Sequence, residues 1–211
     1  KMKQRLQEMA EALIRIAAAR AMRPAPIMTA PEGAFEEFCA RFPYEETDDQ
    51  QATITAVLED LASGNPMDRL VCGDVGFGKT EVALRAAFVA ALSGRQVAVV
   101  APTTLLARQH YKTFVERFRG FPVNIGQASR LVTSKELGEV KKGLKSGDVD
   151  IVIGTHALLG KTVNFRDLAL VIVDEEQHFG VAHKERLKDL RIVADALTLT
   201  ATPIPRTLQL A

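Results

Sequence analysis

Arg69-Leu70-Val71-Cys72-Gly73-Asp74-Val75-Gly76-Phe77-Gly78-Lys79-Thr80 is the stretch that decides the fold of this chain. Arg69–Cys72 is an apolar run of strand length. Gly73–Thr80 matches G-x-x-x-x-G-K-[ST], and a helical pattern, Glu81–Ser93, follows it. Strand, glycine-rich loop and helix, in that order, are the context a phosphate-binding loop requires. The residue types follow from the chemistry. Gly73, Gly76 and Gly78 let the backbone curl until several N–H groups converge on an anion. The helix N-terminus adds partial positive charge. Lys79 neutralises terminal phosphates, and the Thr80 hydroxyl is a hard oxygen ligand for Mg²⁺. Asp74, Val75 and Phe77 complete the cradle, with no catalytic role assigned to Phe77.

Working outward, further apolar runs of strand length occur at Gln96–Ala101, Val123–Gln127, Asp150–Ile153, Leu168–Val173 and Ala196–Leu199. Helical patterns lie between them at Thr104–Phe118, Ser134–Lys145 and Lys184–Leu190. Val- and Ile-rich strands without polar alternation suit a parallel sheet covered on both faces. Strands alternating with helices imply right-handed crossovers. The expected fold is α/β: a three-layer P-loop sandwich of the RecA-like type, with an N-terminal helical extension. Leu6, Met9, Leu13 and Ile16 recur at helical spacing and predict an amphipathic helix over 3–22. Pro24, Pro26 and Pro31 then break regular structure. Residues 1–31 are therefore read as helix and linker, and 32–211 as the nucleotide-binding lobe.

A phosphate loop needs a carboxylate for the metal and a base to orient water. Leu168–Val173 ends in Asp174-Glu175-Glu176-Gln177. Ligands of open α/β sheets sit at the carboxyl ends of strands, which places Asp174 beside the phosphate loop. Asp174 is assigned to Mg²⁺, mostly through water, and Glu175 to the attacking water. Lys79, Asp174 and Glu175 are thus the expected catalytic set.

These motifs resemble helicase superfamily 2. Asp174–Gln177 is similar to its motif II, Thr200-Ala201-Thr202 to motif III, Pro102-Thr103-Thr104-Leu105-Leu106-Ala107 to motif Ia, and Gly154-Thr155-His156 to a later DNA-contact motif. Phe42–Gln50 resembles the upstream adenine-reading segment. The wording of Arg69–Ala83, His178-Phe179-Gly180-Val181 and Thr200–Leu208 narrows the likeness to the bacterial transcription-repair coupling factors. RecG, which shares part of it, typically has serine at Phe77 and one acidic residue fewer in motif II. The resemblance implies an ATP- and Mg²⁺-dependent translocase on double-stranded DNA that displaces stalled RNA polymerase and recruits excision-repair proteins through parts of a longer protein. It implies adenine contact by Gln50, coupling by Gln177, Thr200 and Thr202, and DNA-backbone contact by Thr103, Thr104, Thr155 and His156. Gln177 departs from the histidine expected in many coupling factors.

Plainer readings stand beside several of these. Thr47-x-x-Gln50 is also a helix capping box. Thr103, Thr104 and Thr155 suit helix N-caps. Arg108, Arg130, Lys135, Lys141, Lys142 and Lys145 are possible phosphate contacts, but a solvated helix face explains most of them. His178 and His183 lack zinc-site spacing.

Composition sets the outer bounds. The chain has 211 residues, enough for one core with an appendage, and 27 basic against 26 acidic residues exclude a wholly basic domain. Cys39 and Cys72 form no CxxC pair, which fits a reducing compartment, the cytoplasm. No stretch reaches the roughly 18 apolar residues of a membrane span, so no membrane partner is expected. The absent initiator Met and the end shortly after motif III suggest an excised fragment lacking the second motor lobe, hence poor turnover in isolation. Rival readings are a RecG-type fork-remodelling lobe, a nucleotide-gated docking module and a small-molecule kinase. Thr200–Thr202 argues against the kinase.

Overall fold

Runs rich in Val, Ile and Leu become strands because branched side chains pack well on a pleated surface. The computed structural model describes residues 10, 14, 18, 22–74, 76–160 and 162–201. Its strands are β1 (Asp68–Cys72), β2 (Gln96–Val100), β3 (Ile125–Ala128), β4 (Ile151–Gly154), β5 (Leu168–Asp174) and β6 (Asp195–Thr200). All pair in parallel in the order β1-β6-β5-β2-β4-β3. The helices are α1 (Ala34–Ala40), α2 (Asp48–Ala62), α3 (Lys79–Leu92), α4 (Thr104–Arg117), α5 (Ser134–Ser146) and α6 (Val181–Val193).

Residue parity on the central strands shows the three layers. Val97, Val99, Leu170 and Ile172 enter one core, shared with Phe38 of α1, Val57 of α2, Phe88 of α3 and Phe114 of α4. Ala98, Val100, Val171 and Val173 enter the other, shared with Leu144 of α5 and Leu187 of α6. An aromatic cluster ties α1 to α3, with the Phe38 and Phe88 rings stacked 4.3 Å apart. The RecA-like α/β expectation is met. Burial on both faces holds for β2, β4 and β6, whereas the edge strands β1 and β3 are only partly covered.

Several boundaries differ from expectation. α3 begins at Lys79 and not Glu81, so Lys79 and Thr80 lie in its first turn, where the orphan N–H groups are. α6 is longer at both ends than Lys184–Leu190, and β3 starts two residues after Val123. The proline-bearing segment after residue 22 does not hang free. Its Met28 is fully buried, the Met28 N–H donates to Leu61 O in the last turn of α2, and the Ala25 N–H donates to Gly64 O just beyond that helix. The amphipathic helix predicted over 3–22 lies, apart from residues 10, 14, 18 and 22, outside the described residues, as do Val75 and Thr202.

This topology makes the site. β6 lies between β1 and β5, so the loops leaving β1 and β5 flank its carboxyl end. Strands two apart are about 10 Å from each other, a span that a nucleotide's phosphates and a hydrated cation can bridge.

Candidate nucleotide site

The phosphate loop curls as its glycines allow. Gly76 and Gly78 have φ of 90° and 78°, in the left-handed region. Gly73 is required for a different reason: a Cβ there would lie 2.5 Å from the Phe77 ring, which folds over it. Phe77 thus braces the loop from within. Lys79 Nζ donates to Gly73 O at 2.5 Å and Asp74 O at 2.9 Å, so the ammonium sits inside the loop that phosphates would enter.

The end of β6 joins the loop to the acidic segment. Gly73 N–H donates to Thr200 O at 3.1 Å, and Glu175 N–H donates to Leu199 O at 2.9 Å. Consecutive carbonyls of one strand therefore hold both halves of the site. Asp174, the last residue of β5, is 8% exposed. Glu175 has φ 49° and ψ 52°, and no other described non-glycine residue has positive φ. Such strain persists only where surrounding contacts impose it, and it clusters at functional sites. Here the contacts are visible. Glu175 Oε1 accepts the Ala201 N–H at 3.0 Å, and Oε2 accepts from the Gln177 amide. Thr200 Oγ1 in turn donates to Gln177 Oε1 at 3.4 Å. Gln177 thus spans the two segments read as motifs II and III, in the place where histidine was expected. Glu176 turns away: Arg191 of α6 holds it, and Arg191 also donates to Thr198 Oγ1 at 3.0 Å.

Sequence reading missed His110. Its Nε2 lies 2.7 Å from Asp174 Oδ2, and both residues are buried. An ionised carboxylate only accepts, so Nε2–H is the donor. His110 sits on α4, 64 positions from Asp174 in sequence, and no local pattern links them.

Upstream, Gln50 uses both ends of its amide. Oε1 accepts the Thr47 N–H at 2.9 Å while Thr47 Oγ1 accepts the Gln50 N–H at 3.3 Å, completing the capping box of α2. Nε2 donates to Phe77 O in the phosphate loop. The side chain is a strut between helix cap and loop. Beside it opens a cavity of about 510 Å³ whose lining includes Phe42, Pro43, Gly78, Thr80 and Arg117.

An ionic network beneath this cavity also escaped the sequence reading. Glu81, 5% exposed, accepts from Arg117 at 2.8 and 3.0 Å and from Arg85 Nε at 2.9 Å. Arg85 also donates to Glu46. The Arg117 guanidinium lies 4.7 Å from the Phe38 ring centroid and 5.7 Å from that of Phe42. Burial lowers the Arg85 pKa, but its bonds to Glu46 and Glu81 outweigh that, leaving it above the ordinary value. The Glu46 carboxyl is held below the usual range chiefly by Arg85. The network clamps the segment carrying Phe42 and Gln50 against α3 and α4.

The residues read as DNA contacts separate into two places. Thr103 is exposed, and its hydroxyl caps α4 by accepting the Leu106 N–H at 3.2 Å; Thr104 opens the helix. Thr155 and His156 follow β4. Thr155 is 2% exposed, and its hydroxyl has no partner among the described residues, so it does not face solvent. The His156 ring stacks on His183, centroids 4.7 Å apart. Lys135, Lys141, Lys142 and Lys145 all lie on α5, where Lys141 bonds Thr162. Arg108 and Arg130 are exposed.

The described residues hold no cluster of three or more His, Cys, Asp or Glu side chains. Mg²⁺ keeps several waters and takes one or two protein oxygens plus substrate phosphates. Thr80 and Asp174 are donors of that kind. No described helix is long and apolar enough to cross a membrane.

Comparison with known proteins gives the family of the chain. The chain is 53% identical over 206 residues to the transcription-repair-coupling factor of Bacillus subtilis, covering 98% of this chain and 18% of that protein. It is 59% identical over 183 residues to that of Staphylococcus epidermidis, covering 87% and 15%, and 54% identical over 211 residues to that of Myxococcus xanthus, covering 100% and 18%. It therefore spans less than a fifth of the length of these relatives. Among solved structures, RecG bound to a three-way DNA junction superposes with a TM-score of 0.80 at 36% identity, over 93% of this chain and 26% of that one. The helicase MrfA shares the fold, with a TM-score of 0.62 at 16% identity over 85% and 31%. The model of the DEAD/DEAH box helicase family matches residues 47–211, the span holding the phosphate loop, the acidic segment and the β6 end that joins them. On that match the chain belongs to the DEAD/DEAH box helicase family, an ATP-dependent class.

Proposed function

We propose that residues 32–211 are the ATP-binding lobe of a motor that moves along double-stranded DNA, in a bacterial cytoplasmic protein that removes stalled RNA polymerase and couples transcription to excision repair. One observation carries the motor reading: the carbonyls of Leu199 and Thr200 hold the acidic segment and the phosphate loop in one site. A nucleotide bound there would touch Lys79, Asp174, Glu175 and the Thr200–Thr202 segment together. Lys79 would exchange the Gly73 and Asp74 carbonyls for phosphate oxygens. Thr80 and Asp174 would hold Mg²⁺, which neutralises charge on the phosphates. Glu175 would orient the attacking water, and Gln50 with Phe42 would face adenine in the neighbouring cavity.

Thr103 and Thr104, at the N-terminus of α4, and His156 are proposed to meet DNA phosphates, with buried Thr155 shaping the turn that presents His156. Such contacts track the backbone without reading sequence, which suits a translocase. Identity of 52–59% to coupling factors favours polymerase removal over fork remodelling.

The test uses the protein that carries this chain and RNA polymerase halted by nucleotide withdrawal on a linear template. ATP-dependent release of the polymerase, lost in Lys79→Ala, is the expected result. Strong DNA-dependent hydrolysis without release would overturn the coupling role and leave a fork-remodelling motor. Nucleotide-dependent docking of a partner with no DNA contact would make the lobe a docking module.

A further inference from the structure

His110 is buried and lies within the site, yet none of the roles assigned above needs it. It grows from the middle of α4, a helix whose N-terminal turn carries Thr103 and Thr104. His110 lies seven positions after Thr103, about 10 Å along the helix. Among the described residues the imidazole's hydrogen-bond partner is Asp174 Oδ2, at 2.7 Å. The other carboxylate oxygen has no hydrogen bond among the described residues and stays available to a cation or its water. His110 is 6% exposed and Asp174 8%, so little water competes for the bond.

We infer that His110 is a positioning residue for Asp174, and that through it α4 links the DNA-facing end of the lobe to the carboxylate that holds Mg²⁺. The inference rests on the nucleotide and DNA sites proposed above. Its physical content is geometric. A carboxylate on the last residue of a strand can rotate about two side-chain torsions, and a hydrogen bond from a rigid helix selects one rotamer. Partners that orient metal-binding side chains contribute about 10–100-fold in metal affinity. α4 is stiff over the two turns between Thr103 and His110. A small shift of its N-terminus against a phosphate backbone therefore moves the imidazole and the carboxylate with it. That route needs no unfolding and no contact between DNA and nucleotide.

The experiment measures binding of a fluorescent ADP analogue to the protein carrying this chain while Mg²⁺ is titrated, with and without duplex DNA. His110→Phe fills the same space but cannot donate, and His110→Gln keeps a donor at similar reach. The expected result is a Mg²⁺ midpoint raised about 10–100-fold in His110→Phe and restored toward wild type in His110→Gln. Nucleotide binding in EDTA should be the same in all three. Duplex DNA should shift the wild-type midpoint and leave that of His110→Phe unmoved. An unchanged midpoint in folded His110→Phe overturns the positioning role. A raised midpoint that DNA still shifts as in wild type overturns the link through α4. If His110→Phe does not fold, His110→Ala supplies the same two readings. Failure of the wild-type protein to bind the analogue at any Mg²⁺ concentration would instead sink the nucleotide-site proposal, so the two failures are distinguishable.

Discussion

Glu175 and Ala201 meet across the carboxyl ends of β5 and β6, where the Glu175 Oε1 accepts the Ala201 backbone N–H at 3.0 Å. The residue proposed to orient water is thus bonded to the segment resembling motif III while its own backbone sits in the left-handed region. The same carboxylate takes the Gln177 amide on its other oxygen. Any movement of Ala201 is felt directly by Glu175.

Glu175→Gln separates these two roles. The glutamine carbonyl still accepts from Ala201, so fold and ATP binding should survive, but the base is gone. Single-turnover hydrolysis by the protein carrying this chain should fall about 10²–10⁴-fold, the range of general-base contributions. ATP affinity measured by equilibrium binding should change little. Hydrolysis near the wild-type rate would show that another group orients the water.

The buried network predicts an asymmetry in stability. Glu81→Ala leaves the Arg85 and Arg117 guanidinium groups without their shared buried partner, which should cost about 3–5 kcal/mol. Replacing Glu81, Arg85 and Arg117 together by Met, Leu and Leu should cost much less, because the one charge that loses its partner, Glu46, is partly exposed to water. Urea unfolding of the chain would compare them. A triple variant less stable than the single one would show that cation–aromatic packing with Phe38 and Phe42 outweighs the ion pairs.

Gly78 and Gln50 are coupled through space. A Cβ at Gly78 would collide with the Gln50 amide, and its φ of 78° disfavours any side chain. Gly78→Ala should therefore cost about 1–2 kcal/mol for the left-handed backbone alone. It should also displace Gln50 from Phe77 O. Gln50→Ala should lose the reciprocal half of the capping box, the bond from the Thr47 N–H, at about 1 kcal/mol, and, on the adenine proposal, the preference for ATP over GTP. Competition binding with both nucleotides checks this; an unaltered preference would leave Gln50 as cap and strut only.

The pH prediction concerns His156. Burial, then His183, then Arg130 hold its pKa below the ordinary 6.5. The unfolded chain binds this proton more readily than the folded one. The stabilising contribution is therefore fully present above 6.5 and is lost as pH falls through the folded value. NMR titration of the ring should give a midpoint below 6.5. In His183→Ala, which uncovers the ring and removes a neighbouring charge, the midpoint should rise toward that value. A midpoint at or above 6.5 in the unsubstituted chain would contradict this.

Much of the site was legible because its chemistry is local in the chain. Gly73–Thr80 and Asp174–Gln177 are short words, each following a strand, and the rule that ligands gather at strand carboxyl ends brought them together. The central strands were legible because burial on both faces demands unbroken apolar runs. α1 and α2 were less so. α1 is a single short segment of seven residues, and α2 announced itself only through the Thr47–Gln50 capping box.

His110, Glu46, Arg85 and Arg117 carry no local signature, because an isolated charged or imidazole side chain on a helix reads as solvated until its partner is placed beside it. The sequence by itself determined the phosphate cradle, the acidic segment and the α/β class, since spacing within a few residues dictates each. Only the tertiary structure decided that β6 lies between β1 and β5, that Gln50 braces the loop it was expected to serve, and that α4 reaches Asp174. Those contacts join segments 27 and 64 positions apart. At such separations the order of strands in the sheet sets which side chains meet, and no local pattern records that order.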